Sequence, residues 1–180
     1  DVAAIASLVA AKADTNARDS AGRTPLHVAA FARRREAMAA LAAGGADPRA
    51  LEGRAYDAIT IAAVADDIET MRMAIALGGD PKAVTSPYQG TALIAAAHLG
   101  HDAVVRELIR AGAPLDHVNN LHWTALIEAV VLGDGGRRHQ ECVRALVAAG
   151  ARRDLADRDG VTPLEHARRR GFAEMVRLLQ

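Results

Sequence analysis

A heptapeptide that recurs five times along the chain constrains its fold more than any other feature. The copies read TPLHVAA from Thr24, DAITIAA from Asp57, TALIAAA from Thr91, TALIEAV from Thr124 and TPLEHAR from Thr162. The differences between successive start numbers are 33, 34, 33 and 38 residues. Self-similarity at a nearly fixed period predicts a stack of like units, each of which buries its apolar face only against its neighbours.

A second landmark keeps the same period. Apolar helical stretches end in a turn that is usually glycine-rich, as in AALAAGGAD, MAIALGGD, ELIRAGAP and RALVAAGAR. Thr24 can cap a helix that starts at Pro25, and Gly44 with Gly45 can end the next helix. The TPLH signature with a turn and two helices resembles the ankyrin repeat, over essentially the whole chain. The stretch VLGDGGRRH from Val131 resembles inserts in bacterial ankyrin-repeat proteins.

The resemblance implies an all-α fold, an ankyrin-repeat solenoid of stacked helix pairs with projecting β-hairpin turns. We expect one domain over residues 1–180, because no linker interrupts the repeats. Its predicted parts are a partial first repeat at 1–18, repeats at 19–51, 52–85 and 86–118, a repeat with an inter-helix insert at 119–156, and a terminal repeat at 157–180. Since the chain starts in the middle of a repeat, we expect a segment upstream of it.

Composition and charge favour a protein partner over other macromolecules. The chain is 51% hydrophobic but only 3% aromatic, which suits closely packed, alanine-rich helices. Its 22 basic and 22 acidic residues give a net charge of +0, so we expect no general attraction to nucleic acid or anionic membranes. No apolar run is long enough to predict a membrane span. We expect a monomer in the cytoplasm, with a cleaved signal peptide and secretion to the periplasm as the open alternative.

No pattern for catalysis or metal binding stands out, so we expect no enzymatic activity, no cofactor and no metal. His117, His122 and Asp116 lie together in the sequence, but their spacing matches no closed zinc signature. The Gly133–Gly136 stretch lacks the strand before it and the Lys-Ser/Thr after it that a phosphate loop requires. We predict that the single cysteine, Cys142, is a small core residue rather than a nucleophile.

Departures from the repeat leave alternatives open. The copy at Asp57 is either drifted or specialised for a ligand. Arginine clusters at Arg33–Arg35, Arg137–Arg138, Arg152–Arg153 and Arg168–Arg170 are typical of solvated helix ends, with a phosphate or acidic-peptide site as the alternative.

The ankyrin resemblance implies that partners bind at the hairpin tips and on the exposed face of the first helices. The positions that match this surface and that we predict to bind a partner are Arg23, Phe31, Arg54, Tyr56, Tyr88, His98, Asn120, Leu121, Trp123, Leu132 and Arg158. Four of the five aromatic residues fall in this set, and aromatic side chains and arginine commonly anchor interfaces. We predict an aromatic ridge of Tyr56, Tyr88 and Trp123, flanked by Arg23 and Arg54; alternatively Trp123 packs between hairpins.

The sequence therefore predicts a non-enzymatic protein-interaction module. The alternative hypothesis is a regulatory or accessory subunit that binds a small molecule, or contributes to an enzyme complex, near the insert at Gly133–His139.

Overall fold

The computed structural model describes every residue from Asp1 to Gln180 and consists of helices joined by turns. The eleven helices are α1 (Val2–Ala10), α2 (Pro25–Phe31), α3 (Arg35–Ala43), α4 (Ala58–Val64), α5 (Ile68–Ala76), α6 (Ala92–His98), α7 (Asp102–Arg110), α8 (Ala125–Val131), α9 (Arg137–Ala148), α10 (Pro163–Arg169) and α11 (Ala173–Leu179). The predicted all-α class is confirmed: no strand is present, and one isolated antiparallel bridge joins Val84 to Thr91. None of the helices is both long and apolar enough to cross a membrane.

The repeated heptapeptide starts the first helix of each repeat, as predicted. The hydroxyls of Thr91, Thr124 and Thr162 each accept the backbone N–H three residues later, at 3.4, 3.3 and 3.2 Å. In the divergent copy the carboxylate of Asp57 accepts the N–H of Thr60 at 2.7 Å. Such caps satisfy N–H groups that have no partner inside the helix, so the divergent copy keeps its helix start.

Small side chains fill the core. The buried positions in the first helices are mainly alanine, leucine and isoleucine, whereas the second helices contribute larger groups such as Met38, Met71 and Leu146. Cys142 is fully buried in α9, as predicted. Alanine lets neighbouring helices approach closely, which explains how a chain with so few aromatic residues still packs a core.

The chain forms two compact units. Unit 1 comprises Asp1–Asp80 with Thr85–Pro87, and unit 2 comprises Pro81–Val84 with Tyr88–Gln180. In unit 1, α2 packs on α3 and α4, and α3 packs on α1 and α5; in unit 2, α8 packs on α6, α9 and α10, and α9 packs on α7 and α11. Within each unit the first helices thus form one layer and the second helices form the other. The single-domain boundaries stay a prediction.

Candidate partner-binding surface

The turns that precede the first helices share one hydrogen-bond pattern in four repeats. The first residue of the turn accepts, through its side chain, the backbone N–H groups two and four residues later, at 2.8 to 3.2 Å. Its own N–H donates to the carbonyl four residues later at 2.9 to 3.0 Å. These segments, which we call the hairpin turns, are residues 19–23, 52–56, 119–123 and 157–161. They hold equivalent side chains in equivalent places, which is what a repeated binding surface requires.

The hairpin turns start with different polar residues but keep one backbone shape. Asp19, Glu52, Asn119 and Asp157 all act as the side-chain acceptor. The fourth residue of each turn has a positive φ, and it is Gly22, Ala55, His122 or Gly160. Glycine adopts this left-handed conformation without steric cost, whereas alanine and histidine do not. The turn is therefore maintained even where the sequence opposes it.

Unit 1 contains a cleft that brings four predicted site residues together. The cleft has a volume of about 320 Å³ and lies among two hairpin turns and the helices α2 and α4. Its lining residues, which we call the unit 1 cleft, are Ala21, Arg23, Phe31, Glu52, Arg54, Tyr56, Ile61 and Val64. Arg23, Phe31, Arg54 and Tyr56 were predicted from the repeat pattern. Glu52 and Ile61 were not predicted. In the divergent heptapeptide Thr60 stands where the first copy has His27, and Ile61 is the next residue.

Exposed apolar groups form much of the unit 1 cleft. Phe31 is 52% exposed and Val64 is 37% exposed, while Tyr56 is partly buried. A single exposed apolar side chain is common, but a group of them inside a concave site marks a candidate interface. These side chains offer a partner apolar contact area that water covers in the free protein.

Charge at the unit 1 cleft is dominated by one unpaired arginine. The guanidinium of Arg23 bonds to Asp19, with Nε at 2.8 Å from Oδ2, and this hydrogen bond is the main reason that the pKa of Asp19 is lowered. Glu52 is only 9% exposed, and its Oε1 accepts the N–H groups of Arg54 and Tyr56. Arg54 itself is exposed and pairs with no carboxylate. The cleft therefore presents a positive group that is available to a ligand.

His27 fixes the loop that leads to Glu52. Its Nδ1 accepts the N–H of Thr24 at 3.0 Å, which assigns the proton to Nε2, and Nε2 donates to the carbonyl of Ala50 at 2.9 Å. Burial lowers the pKa of His27, so the neutral ring that this bonding requires is the favoured form. These contacts give His27 a structural role within its own repeat.

In unit 2 most of the predicted residues lie in the turns that precede the first helices. Tyr88 is 57% exposed and Leu121 is 42% exposed, whereas Trp123 is partly buried. The carbonyl of Tyr88 accepts the N–H of Asn120 at 2.9 Å, and a guanidinium nitrogen of Arg158 lies 3.5 Å from the carbonyl of Asn120. One backbone hydrogen bond and one side-chain contact thus join successive turns of this unit. The two interpretations of Trp123, partner contact and packing between turns, both stay predictions.

The first-helix face of unit 2 contains a buried acid that the sequence analysis did not single out. Glu128 is 4% exposed, and its Oε1 accepts the side-chain N–H of Asn119 at 2.9 Å. Its Oε2 makes no hydrogen bond, although Nδ1 of His98 lies 3.2 Å away. Burial raises the pKa of Glu128 to about 7. The sequence feature that could have pointed to this buried acid is the single acidic residue in the otherwise apolar stretch ALIEAVV.

His98 and Leu132 mark the end of that face. Leu132 is 43% exposed, and the side chain of His98 is 47% exposed. Burial of part of the ring lowers the pKa of His98, and the charge of His139 lowers it further. Both side chains are exposed, and their contact with a partner stays a prediction.

The insert between α8 and α9 is held by contacts with its own chain. His139 lies 2.9 Å from Asp134 through Nδ1 and 2.9 Å from the carbonyl of His98 through Nε2. Arg170 donates to the carbonyls of Val131 and Gly133 at 2.6 and 2.9 Å. The insert was predicted to lie between the helices, but Arg137 and Arg138 are the first two residues of α9, so part of the insert lengthens that helix.

Phe172 closes the other side of the insert. A Cβ atom at Gly135 would lie 2.5 Å from the ring of Phe172, and Arg170 stacks over that ring at 4.8 Å. Gly135 is thus required by a close approach as well as by its positive φ. No group of three or more His, Cys, Asp or Glu side chains is placed to share a metal ion.

Comparison with known proteins agrees with this architecture. Residues 59–151 match the family model for ankyrin repeats in three copies, and residues 21–52 match the model for a single ankyrin repeat. The ankyrin repeat protein YahD of Escherichia coli strain K12 is 44% identical over 81 residues. That alignment covers 44% of this chain and 40% of YahD, so the chain spans less than half the length of this curated relative.

Two crystal structures match almost the entire chain. An ankyrin repeat domain from Acinetobacter baumannii AYE has a TM-score of 0.88 and 40% identity, with 99% of this chain and 97% of that chain covered. The ankyrin repeat protein EF0377 has a TM-score of 0.84 and 28% identity, with the same coverage of 99% and 97%. The predicted resemblance is thus confirmed, and the chain belongs to the ankyrin repeat family.

Proposed function

We propose that this chain is a non-enzymatic interaction module that binds another protein through its hairpin turns and the exposed faces of its first helices. Ankyrin repeats generally mediate protein–protein interaction. The observation that carries the proposal for this chain is the unit 1 cleft, in which Arg23, Phe31, Arg54 and Tyr56 line one concave site.

The chemistry of the cleft supports a protein ligand. Tyrosine and arginine are frequent interface anchors, and an aromatic anchor that a partner desolvates commonly contributes about 2 kcal/mol or more. The turn that carries Tyr56 is held by the hydrogen bonds of Glu52, so little conformational entropy is lost when a partner docks.

In unit 2 we propose a further contact surface along the hairpin turns and the ends of the first helices. Its members are the remaining predicted residues, Tyr88, His98, Asn120, Leu121, Trp123, Leu132 and Arg158. The exposure of Tyr88, Leu121 and Leu132 supports this assignment, since each leaves roughly half of a large apolar side chain in water.

The alternative, a small-molecule or accessory role near Gly133–His139, has less support. Asp134 and His139 bond to each other, and Arg170 occupies the carbonyls of Val131 and Gly133. The polar groups that would recognise a small ligand there are therefore engaged by the chain itself. We expect the protein to act as a monomer.

The test is capture of partners from a lysate of the source organism on immobilised protein, with quantitative mass spectrometry. The wild type is compared with a Phe31→Ala/Tyr56→Ala variant and with Val28→Ala. Val28 is a matched control because it is 47% exposed on the same helix, α2, but does not line the cleft.

We expect at least one protein to be captured by the wild type and by Val28→Ala, and to be depleted on the double variant. Thermal unfolding of all three proteins separates loss of binding from loss of fold. Equal capture by folded samples of all three would contradict the proposed surface, and stoichiometric retention of a small molecule would favour the alternative.

A further inference from the structure

We propose that the unit 1 cleft recognises an acidic peptide segment in which an apolar side chain lies next to a carboxylate. This inference rests on the proposed function and specifies the ligand of that same site. Two independent features of the cleft, its apolar lining and its charge balance, support this one class of occupant.

The apolar part of the cleft has the size of a side-chain site. A volume of about 320 Å³ lies at the lower end of ligand pockets, so it suits one or two large side chains rather than a whole folded element. Phe31, Val64 and Ile61 line it, and Phe31 leaves 52% of its surface to solvent. A leucine or phenylalanine side chain of a peptide would cover this surface.

The charged part of the cleft favours a carboxylate. Arg54 has no carboxylate partner, and the NH2 nitrogen of Arg23 lies 2.7 Å from Asp19. The two acidic groups nearby, Asp19 and Glu52, each hold two backbone N–H groups of their own hairpin turns. They cannot turn toward a ligand without breaking those bonds, which would leave N–H groups unpaired.

The charged groups that line the cleft therefore disfavour a basic peptide and favour an acidic one. A lysine in the cleft would meet the guanidinium groups of Arg23 and Arg54, whereas a glutamate or aspartate would complete a bidentate pair with Arg54. The free arginine next to an apolar lining thus predicts which residue types adjoin in the ligand.

The probe is a library of random twelve-residue peptides displayed on phage and selected on the intact purified protein. The best peptide is then synthesised with a fluorescein label, together with a version in which its acidic residues are lysine. Both are titrated by fluorescence anisotropy against wild type, Arg54→Glu, Phe31→Ala and Arg153→Glu. Arg153 is the charge-matched control, since it is exposed and does not line the cleft.

We expect selected peptides to contain an aromatic or large aliphatic residue next to Asp or Glu. Arg54→Glu should weaken the acidic peptide about tenfold and should bind the lysine version better than the wild type does, because attraction and repulsion exchange places. Phe31→Ala should weaken both charge versions, and Arg153→Glu should weaken neither.

Two results would overturn the inference. One is selection of peptides without acidic residues; the other is equal affinity of the acidic peptide for wild type and Arg54→Glu. If no peptide is selected while a folded protein partner still requires Phe31 and Tyr56, the acidic-peptide inference fails and the interaction function stands. If neither a peptide nor a partner depends on the cleft, both fail.

Discussion

The two units use the same helix position in opposite ways. In unit 1 the residue after the fourth position of the heptapeptide is Val28 or Ile61, and Ile61 lines the open cleft. In unit 2 the corresponding residues include Glu128 and His166. Each of these bonds to the polar residue that starts its own hairpin turn nine positions earlier, Asn119 at 2.9 Å and Asp157 at 2.7 Å. The same position in the repeat thus lines an apolar cleft in unit 1 and makes an internal polar hydrogen bond in unit 2.

The buried ionisable groups of the two units also differ. His27 in unit 1 uses both ring nitrogens, whereas Glu128 in unit 2 leaves one carboxylate oxygen without a hydrogen bond. The pKa of His27 is lowered and that of Glu128 is raised, in both cases mainly by burial. Because one is a base and the other an acid, these two groups make stability respond to pH in opposite directions.

We expect the largest change in the free energy of unfolding for Glu128→Gln at alkaline pH. The pKa of this acid rises from 4.5 when unfolded to about 7 when folded, so its stabilising contribution is present below pH 4.5 and is lost as pH rises through 7. The shift corresponds to a penalty of about 3 kcal/mol above pH 7. A glutamine keeps the bond from Asn119 and carries no charge.

Urea unfolding at pH 5 and pH 8.5 measures this difference. Glu128→Gln should be more stable than wild type at pH 8.5 and nearly equal to it at pH 5. The control Glu36→Gln, at an exposed position in α3, should change little at either pH. An identical pH profile for wild type and Glu128→Gln would show that Glu128 does not titrate in this range.

In unit 1, His27 should make the protein less stable in acid, which is the opposite pH dependence to that of Glu128. Since the folded pKa of His27 lies below its ordinary value of 6.5, its contribution is present above pH 6.5 and is lost as pH falls through the folded pKa. His27→Ala should cost about 2 kcal/mol at pH 7.5, because the N–H of Thr24 and the carbonyl of Ala50 lose their partner. The difference between wild type and variant should shrink in acid; a constant difference would contradict the assignment of a neutral ring.

The third prediction concerns the hairpin turns, where the units should behave alike. Ala55 in unit 1 and His122 in unit 2 have φ values of 61° and 62° at the position that Gly22 and Gly160 occupy elsewhere. Ala55→Gly and His122→Gly should each stabilise the protein by about 1 kcal/mol, because glycine removes the left-handed strain.

Gly160→Ala is the reverse control for these variants. A Cβ atom there meets nothing within 4 Å, so it isolates the conformational cost from any clash. It should destabilise by about 1 kcal/mol in thermal or urea unfolding. Destabilisation by both glycine variants would show that the side chains of Ala55 and His122 contribute more than their strain costs.

The heptapeptide predicted the helix starts and the fold class, because these depend on local hydrogen bonds and spacing. It also predicted that Arg23, Phe31, Arg54 and Tyr56 share one surface, and they line one cleft. The heptapeptide could not predict that Arg54 is unpaired or that the carboxyl group of Glu128 is buried, because both depend on contacts between side chains that are distant in sequence. The lengthening of α9 was missed since glycines before Arg137 favour a loop.

The proposed function requires that the aromatic residues just before the heptapeptide, Tyr56 and Trp123, bind a partner rather than support the fold. The direct measurement is the dissociation constant of the identified partner for wild type, Tyr56→Ala and Trp123→Ala, with the melting temperature of each variant. We expect Tyr56→Ala to weaken binding about thirtyfold, with little change in melting temperature, and Trp123→Ala to weaken it as well. Wild-type affinity for both variants, or losses that parallel a fall in melting temperature, would contradict the claim.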